Sequence, residues 1–253
     1  MELKNFKMDL KPNGVAVITF DRPPVNAQNR ESREELLWLL DAVSERDEVK
    51  VVVLTGTGNI FSAGADIKER VGMTVEEGYY RNHNRLTREF FYAVTDCAKP
   101  VIAAINGAAI GAGYALAAGA DIIIAAKSAY IQMPEIDRGL MGGAKFLDLL
   151  LPRPIARQLF LTCQKLYADD LYHYGAVTEV VEDEKLLDRA VEIADVIAAK
   201  DTWVVQKAKA AFNAAEGMGY RDGYRYEQTV TRELATSEYT KQAQKDFVEK
   251  KVK

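Results

Sequence analysis

Two glycine-bearing turns, FSAGADIKE (residues 61–69) and NGAAIGAGYAL (residues 106–116), hold the residue types and spacing best suited to chemistry. Each follows an apolar run that reads as a buried strand. Glycine lets a backbone N–H come close to a ligand that a side chain would hold off. The neighbouring alanines keep that approach open. In the second turn the chain runs straight into a small-residue helix, so its N–H groups also lie at the positive end of a helix dipole. Two such turns side by side aim two N–H donors at one oxygen, which is an oxyanion hole. Tight backbone packing explains the same composition, so both readings stand at this level.

Other common chemistries leave no trace. No phosphate loop, dinucleotide fingerprint or nucleophile elbow occurs. The two histidines, His83 and His173, are far apart and show no metal-ligand spacing. The two cysteines, Cys97 and Cys163, are expected as free thiols in a reducing compartment.

The elements that must carry the turns follow from periodicity. GVAVITF (14–20), KVVVLTG (50–56), KPVIAAING (99–107) and DIIIAA (121–126) read as strands, most of them continuously apolar. RESREELLWLLDAVSERDEV (30–49) has Leu36, Leu37, Leu39, Leu40 and Val43 at helical spacing, and residues 75–96 form a second amphipathic pattern. SAGADIKERV is expected to leave its strand as a loop. GAGYALAAGA (111–120) reads as a small-residue helix. Strand–helix–strand order predicts an α/β layer structure. From residue 188 the pattern is helical in three segments, expected to cover the site or build a subunit interface.

The uncharged run from Pro100 to Ala120 is nominally long enough for a membrane span. Its glycines and alanines contribute little transfer free energy, it contains Asn106, and no second span accompanies it. A core element is the expectation. The 253 residues fit one large domain, and a net charge of −4 is no footprint of a general nucleic-acid binder. The opening MELKNFKMDLK lacks the apolar centre of a signal peptide, so a cytoplasmic protein is expected.

The stretches FSAGADIKE, KPVIAAINGAAIGAGYALAAGADIIIAA and AYIQMPEIDRGLMGG resemble, in order and spacing, the three signature blocks of the crotonase (enoyl-CoA hydratase/isomerase) superfamily. GVAVITFDRPPVNA and LTCQKLYADDLYHYGAVTEVV match as well, so the resemblance spans essentially the whole chain. It implies an α/β fold of repeated ββα units over residues 1–187, with a C-terminal helical region over 188–253 that builds trimers, often paired into hexamers. It implies an acyl-CoA substrate, with coenzyme A entering only as part of that substrate and no metal or redox cofactor. It assigns the oxyanion-hole N–H groups to Ala65 and Ala112. The adenine contacts fall on Ala63, Ala65 and Ile67. Lys68 lies where it can meet the CoA phosphates, with Arg22 a weaker candidate. Gly111 lies in the second turn, and Tyr114, further along it, is a candidate substrate contact through its hydroxyl, or a packed aromatic.

One departure from the family pattern bears on the reaction. Hydratases of the family usually carry two glutamates. The one in the third block is present as Glu135, after Pro134; the other position holds Ala115. A thioester enolate is stabilised by the two N–H groups whatever follows. Hydration also needs a proton at Cα and an activated water at Cβ, which two carboxylates can divide. A single carboxylate delivers both parts of water if another group positions it, or carries a proton between two carbons. An enoyl-CoA hydratase-type reaction with Glu135 as acid/base is therefore expected. Δ3,Δ2-enoyl-CoA isomerisation and thioester hydrolysis are the alternatives, and a non-catalytic acyl-CoA binder is disfavoured by the retained carboxylate. Asp137 is a candidate second acid, or with Arg138 an ion pair or a subunit contact. Tyr79, Tyr80, Phe90, Phe91 and Tyr92 are candidates for the acyl pocket, or for a packed core face.

Overall fold

The computed structural model describes residues 2–71 and 77–249. Six strands form the main sheet: β1 (Phe6–Leu10), β2 (Val15–Phe20), β4 (Val51–Gly56), β7 (Val101–Ile105), β9 (Ile122–Ala126) and β12 (Glu179–Val181), in the order β1-β2-β4-β7-β9-β12. β1 is antiparallel to β2; the remaining pairs are parallel, with Val15 opposite Val51, Val52 opposite Val101 and Ile102 opposite Ile122. β4 and β7 are buried along their whole length. Strands covered on both faces need apolar side chains on both, which is why they read as unbroken runs rather than alternations.

A second sheet, ordered β11-β10-β8-β5, holds β5 (Ile60–Ser62), β8 (Ala108–Ile110), β10 (Tyr130–Gln132) and β11 (Lys165–Tyr167). β3 (Ala27–Gln28) pairs only with β6 (Gly64–Ala65). A strand of the main sheet is thus followed by one of the small sheet and then a helix: β4 and β5 precede α2 (Ile67–Val71) and α3 (Tyr79–Asp96), and β7 and β8 precede α4 (Ala112–Ala118). β9 and β10 lead to a 3-10 turn (Ile136–Arg138), then α5 (Ala144–Leu150), α6 (Arg153–Thr162) and α7 (Ala168–His173). This is the expected ββα repetition. The Pro100–Ala120 run is divided among β7, β8 and α4, and among the described residues no helix is long and apolar enough to cross a membrane.

α1 (Arg30–Glu45) shows how local sequence sets an element. The Asn29 side chain accepts from Ser32 N at 2.9 Å and the Ser32 hydroxyl accepts from Asn29 N at 3.0 Å, so two N–H groups at the helix start are satisfied reciprocally. Leu36, Leu39, Leu40 and Val43 are buried against the core. Glu35 is buried too. Its carboxylate accepts from the backbone N–H groups of Lys4, Asn5 and Phe6, each at 2.9 Å, and from the Asn5 side chain at 2.8 Å. It fastens the chain entering β1.

Three other expectations change. SAGADIKERV is not all loop, because β6 and α2 form within it. The second amphipathic helix begins at Tyr79; the part of the expectation at residues 75 and 76 lies outside the described residues. The last of the three C-terminal segments is two helices, α10 (Tyr220–Leu234) and α11 (Glu238–Val248), because Ser237 caps a new start by accepting from Thr240 N at 3.0 Å. The 187/188 boundary falls inside α8 (Leu186–Ala198), whose Ala190, Ala194 and Ala198 belong to the main core. Only α9 (Thr202–Ala215), α10 and α11 lie beyond it.

The Glu35 carboxylate gives the fold a measurable dependence. Glu35→Ala leaves several buried donors without an acceptor and is expected to lower stability by about 2–3 kcal/mol. Glu34→Ala, which removes only an exposed pair with Arg30, is expected to leave the unfolding midpoint in place. Urea unfolding at matched protein concentration separates the two; equal midpoints for Glu35→Ala and wild type would remove this role.

Candidate active site

The first glycine turn runs from β5 into β6, where Ala27 pairs with Gly64 and Gln28 with Ala65. Asp66 N donates to the Gln28 carbonyl at 2.9 Å. Successive N–H groups of an extended strand point to opposite sides, so the Ala65 N–H faces away from β3. The second turn passes through Gly111, at φ +52°, into α4. Ala112 is the first residue of that helix, and first-turn N–H groups have no acceptor within their own helix.

The two turns touch through Gly64. At φ +83° a β-carbon there would lie 2.3 Å from the Ile110 carbonyl oxygen and 3.2 Å from Ala112 N. Any side chain would push the turns, and with them the Ala65 and Ala112 backbones, apart. Buried polar side chains lock the contact. Gln28, whose backbone pairs with Ala65, donates through Nε2 to the Ala112 carbonyl at 3.0 Å. The Ser62 hydroxyl accepts from Gly64 N at 3.2 Å and donates to the Asn26 carbonyl at 2.7 Å. Asn26 Nδ2 donates to the Ile60 carbonyl at 3.0 Å, and Asn106 Nδ2 to that of Gly58 at 2.8 Å.

Glu135 follows β10 and starts the 3-10 turn; its carbonyl accepts from Arg138 N at 3.0 Å and Leu140 N at 2.9 Å. Gly111 N donates to the Gln132 carbonyl at 2.8 Å, joining the second glycine turn to this segment. The Glu135 Oε1 sits 2.5 Å from where a β-carbon on Gly111 would be. The glycine vacates the space that the carboxylate fills. Glu135 is thereby held over the entrance to α4, beside the Ala112 backbone.

These groups share a cleft of about 110 Å³. Of the residues expected at a site, Ala63, Ala65, Ile67, Gly111, Ala112 and Glu135 all lie on its wall. Ala115 does too, one turn along α4 from Ala112. The other expected residues are placed elsewhere. Lys68 stands exposed at the start of α2, off the cleft wall. Tyr114 takes the packed alternative: it is 2% exposed, off the wall, with its hydroxyl 3.4 Å from the Phe146 carbonyl. Two residues along a helix is a rotation of about 200°, which turns Tyr114 away from the face that carries Ala112. Burial pushes its phenol pKa up and keeps it protonated. Arg22 braces the first turn, pairing with Asp66 at 3.0 Å and donating to the Ala27 carbonyl at 2.9 Å. Asp137 is exposed and off the wall, whereas Arg138 is on it. Of the aromatics on α3, Phe91 lines the cleft, Phe90 is core, and Tyr79, Tyr80 and Tyr92 are exposed. His83 and His173 are off the wall.

Sequence reasoning missed three side chains. Gln28 gave no signal, since an amide in a proline-rich loop is unremarkable until its two partners are known. Arg33, on α1, and Thr87, on α3, line the cleft and contact each other, Arg33 Nη1 donating to the Thr87 hydroxyl at 3.3 Å. Their signal was available: Arg33 falls three and seven residues before Leu36 and Leu40, on the buried face of α1.

Comparison with known proteins agrees with this geometry. The Enoyl-CoA hydratase/isomerase family model matches residues 10–253. A protein of Rhodococcus jostii named (7aS)-7a-methyl-1,5-dioxo-2,3,5,6,7,7a-hexahydro-1H-indene-carboxyl-CoA hydrolase is 40% identical over 94% of this chain and 92% of its own. The short-chain-enoyl-CoA hydratase of Clostridium acetobutylicum is 35% identical over 99% of this chain and 97% of its own. The crystal structure of an enoyl-CoA hydratase from Bacillus anthracis superimposes with a TM-score of 0.91 at 31% identity, covering 98% of this chain and 97% of that one. With its two touching glycine turns and its glutamate over the second, the chain belongs to the enoyl-CoA hydratase/isomerase family of the crotonase superfamily.

Proposed function

We propose that the protein adds water to the acyl group of an acyl-CoA by way of a thioester enolate, with Glu135 as its single acid/base. The observation that carries this is the placement of the Glu135 carboxylate against Gly111, in the same cleft as Ala65 and Ala112. In this reading the two backbone N–H groups hold the thioester oxygen and stabilise the negative charge it gains. Glu135 takes a proton from water as the water oxygen bonds to Cβ of an α,β-double bond, whose π electrons pass into the thioester enolate. It then returns a proton to Cα as the enolate collapses, so hydrogen and hydroxyl are both added and the carboxylate is regenerated. Proton transfer and charge stabilisation suffice, so the reaction needs no metal or redox cofactor. The identity of 35% with a short-chain-enoyl-CoA hydratase supports this reading.

Hydrolysis is the second reading, favoured by the 40% identity to a protein named as an acyl-CoA hydrolase. It uses the same Glu135-activated water, aimed at a carbonyl carbon instead of Cβ. Isomerisation uses Glu135 without adding water. Ala115 bears on the two readings that use water, because a methyl group there leaves that water to be held by one carboxylate and the cleft backbone.

We also propose that the chain assembles through α9, α10 and α11 into trimers or pairs of trimers in the cytoplasm. The support is that Phe212, Tyr220, Phe247 and Val248 expose between 74% and 88% of their surface on these helices, large apolar side chains of the kind that subunit interfaces cover.

Two experiments test the catalytic reading. Glu135→Gln keeps the shape of the side chain and removes its proton transfer. It is expected to cut turnover by about two to four orders of magnitude while a saturated acyl-CoA still binds. Wild-type turnover in that variant would overturn the mechanism. Ala115→Glu places a second carboxylate on the face of α4 that carries Ala112, and is expected to raise crotonyl-CoA hydration severalfold or more. Mass analysis of products formed in 18O-labelled, deuterated water distinguishes the outcomes: label at Cβ means hydration, label in a new carboxylate means hydrolysis, and deuterium without 18O means isomerisation.

A further inference from the structure

One buried amide is bonded to both glycine turns. Gln28 is fully buried in β3, in register with Ala65. Its Nε2 lies 3.0 Å from the Ala112 carbonyl, in the second turn, and 3.4 Å from the Ser62 hydroxyl, in the first. An amide NH2 carries two hydrogens, so each turn receives one. The Ser62 hydroxyl donates its own hydrogen to the Asn26 carbonyl at 2.7 Å. Its oxygen keeps two lone pairs, which accept from Gln28 Nε2 and from Gly64 N at 3.2 Å. A continuous run of bonds thus leads from the Gly64 backbone through Ser62 and Gln28 to Ala112.

Stability alone does not call for an amide at residue 28. Its Oε1 is buried and accepts no hydrogen bond from a described residue, and a buried acceptor left unpaired is unfavourable. A methionine of similar length fills the same space without that penalty. A polar residue kept against the rule for a buried position is expected where it serves a site. What the amide supplies is direction. The Gln28 main chain accepts from Asp66 N at 2.9 Å and so holds the short strand that carries the Ala65 N–H. Its side chain holds the Ala112 carbonyl. That carbonyl and the Ala112 N–H flank one α-carbon, so fixing the first restrains the second. A ground-state thioester oxygen carries little charge and tolerates displaced donors. An enolate oxygen carries far more and does not.

We propose that Gln28 is a positioning residue for the enolate: by bonding to both turns it sets the Ala65 and Ala112 N–H groups at the spacing that a charged thioester oxygen requires. The inference rests on reading those two N–H groups as oxyanion donors. It adds what holds them in register. Gln28 lies off the cleft wall and touches no reacting atom.

The test reads the enolate directly. Acetoacetyl-CoA loses a proton from the carbon between its two carbonyls, and its enolate absorbs in the near ultraviolet where the keto form does not. Titrating that absorbance with pH, at saturating protein, gives the pKa of the bound probe. Titration calorimetry with butyryl-CoA gives the affinity for an uncharged thioester. Wild type is expected to hold the bound probe's pKa below that of the free probe. Gln28→Met keeps the length of the side chain and removes both N–H hydrogens. It is expected to raise the bound pKa by about one unit, a tenfold loss of preference for the enolate, with butyryl-CoA affinity within about twofold of wild type. An unchanged bound pKa in Gln28→Met overturns the proposal. So does an equal weakening of both esters with the bound pKa unmoved, which marks a residue that only supports the fold. If wild type binds butyryl-CoA but leaves the probe's pKa at its free value, the oxyanion reading fails and the proposal with it. If wild type binds neither ester, the acyl-CoA reading fails as well. Should Gln28→Met not fold, Ser62→Ala, which takes away the first-turn acceptor of the same amide, is held to the same readings: a raised bound pKa at unchanged butyryl-CoA affinity supports the bridge, and an unchanged pKa overturns it.

Discussion

The approach of Gly64 to the Ile110 carbonyl is the contact on which the site depends. Two segments about fifty residues apart in sequence are brought within backbone distance because one of them has no side chain at that point. Every group that the chemistry needs is referenced to this contact. Ala65 follows Gly64, Ala112 follows Ile110 by two residues, and Glu135 lies against Gly111 between them. The Ala65 and Ala112 backbones are therefore fixed by main-chain packing between strands of two sheets rather than by rotamers, as the proposed oxyanion hole requires of a site that must not reorganise as charge develops.

Holding bare backbone in the interior has a requirement of its own, since each buried N–H and C=O must find a partner. Asn26, Gln28, Ser62 and Asn106 meet it. Gln28 bonds to the second turn through its side chain while its main chain pairs with the first, and Ser62 bridges Gly64 N to the Asn26 carbonyl. Among the described residues the cleft wall is left with apolar residues, Thr87, two arginines and one glutamate. Polar side chains thus split into two groups: those that build the frame behind the two turns, and the few that line the cleft.

The elements that carry this frame were legible in sequence because burial writes itself into composition. β4, β7 and β9 are apolar without a break, and α1 has a clear apolar stripe. The glycine turns and Glu135 were legible as a pattern of blocks. What was not legible depended on distant partners. The entry of β1, whose residues alternate apolar and charged, is held by Glu35 from α1. Tyr114 was open in sequence between a site residue and a packed aromatic, and helical rotation puts it in the core, opposite Ala112. Arg33 looked like an ordinary polar residue in an amphipathic helix. Only the packing of α1 beside α3 shows that it belongs to the buried side and opens on the cleft.

Behind the second glycine turn, Asp121 closes the end of α4. Its carboxylate accepts from Val101 N at 2.7 Å and meets the Lys209 ammonium of α9 at 2.9 Å; the same ammonium donates to the Lys99 carbonyl at 3.1 Å. The receptacle for Lys209 is thus assembled from the end of α3, the turn into β7 and the junction of α4 with β9. None of it exists until those parallel strands have paired. Bringing an ammonium out of water before its acceptors are in place is unfavourable, so the order of events in folding is constrained: the αβ core must close first, and α9 can dock only afterwards, with α10 and α11 behind it. Docking of the C-terminal helices is then a step that waits for a finished core, and a chain whose β7 and β9 have not paired presents no completed receptacle for Lys209.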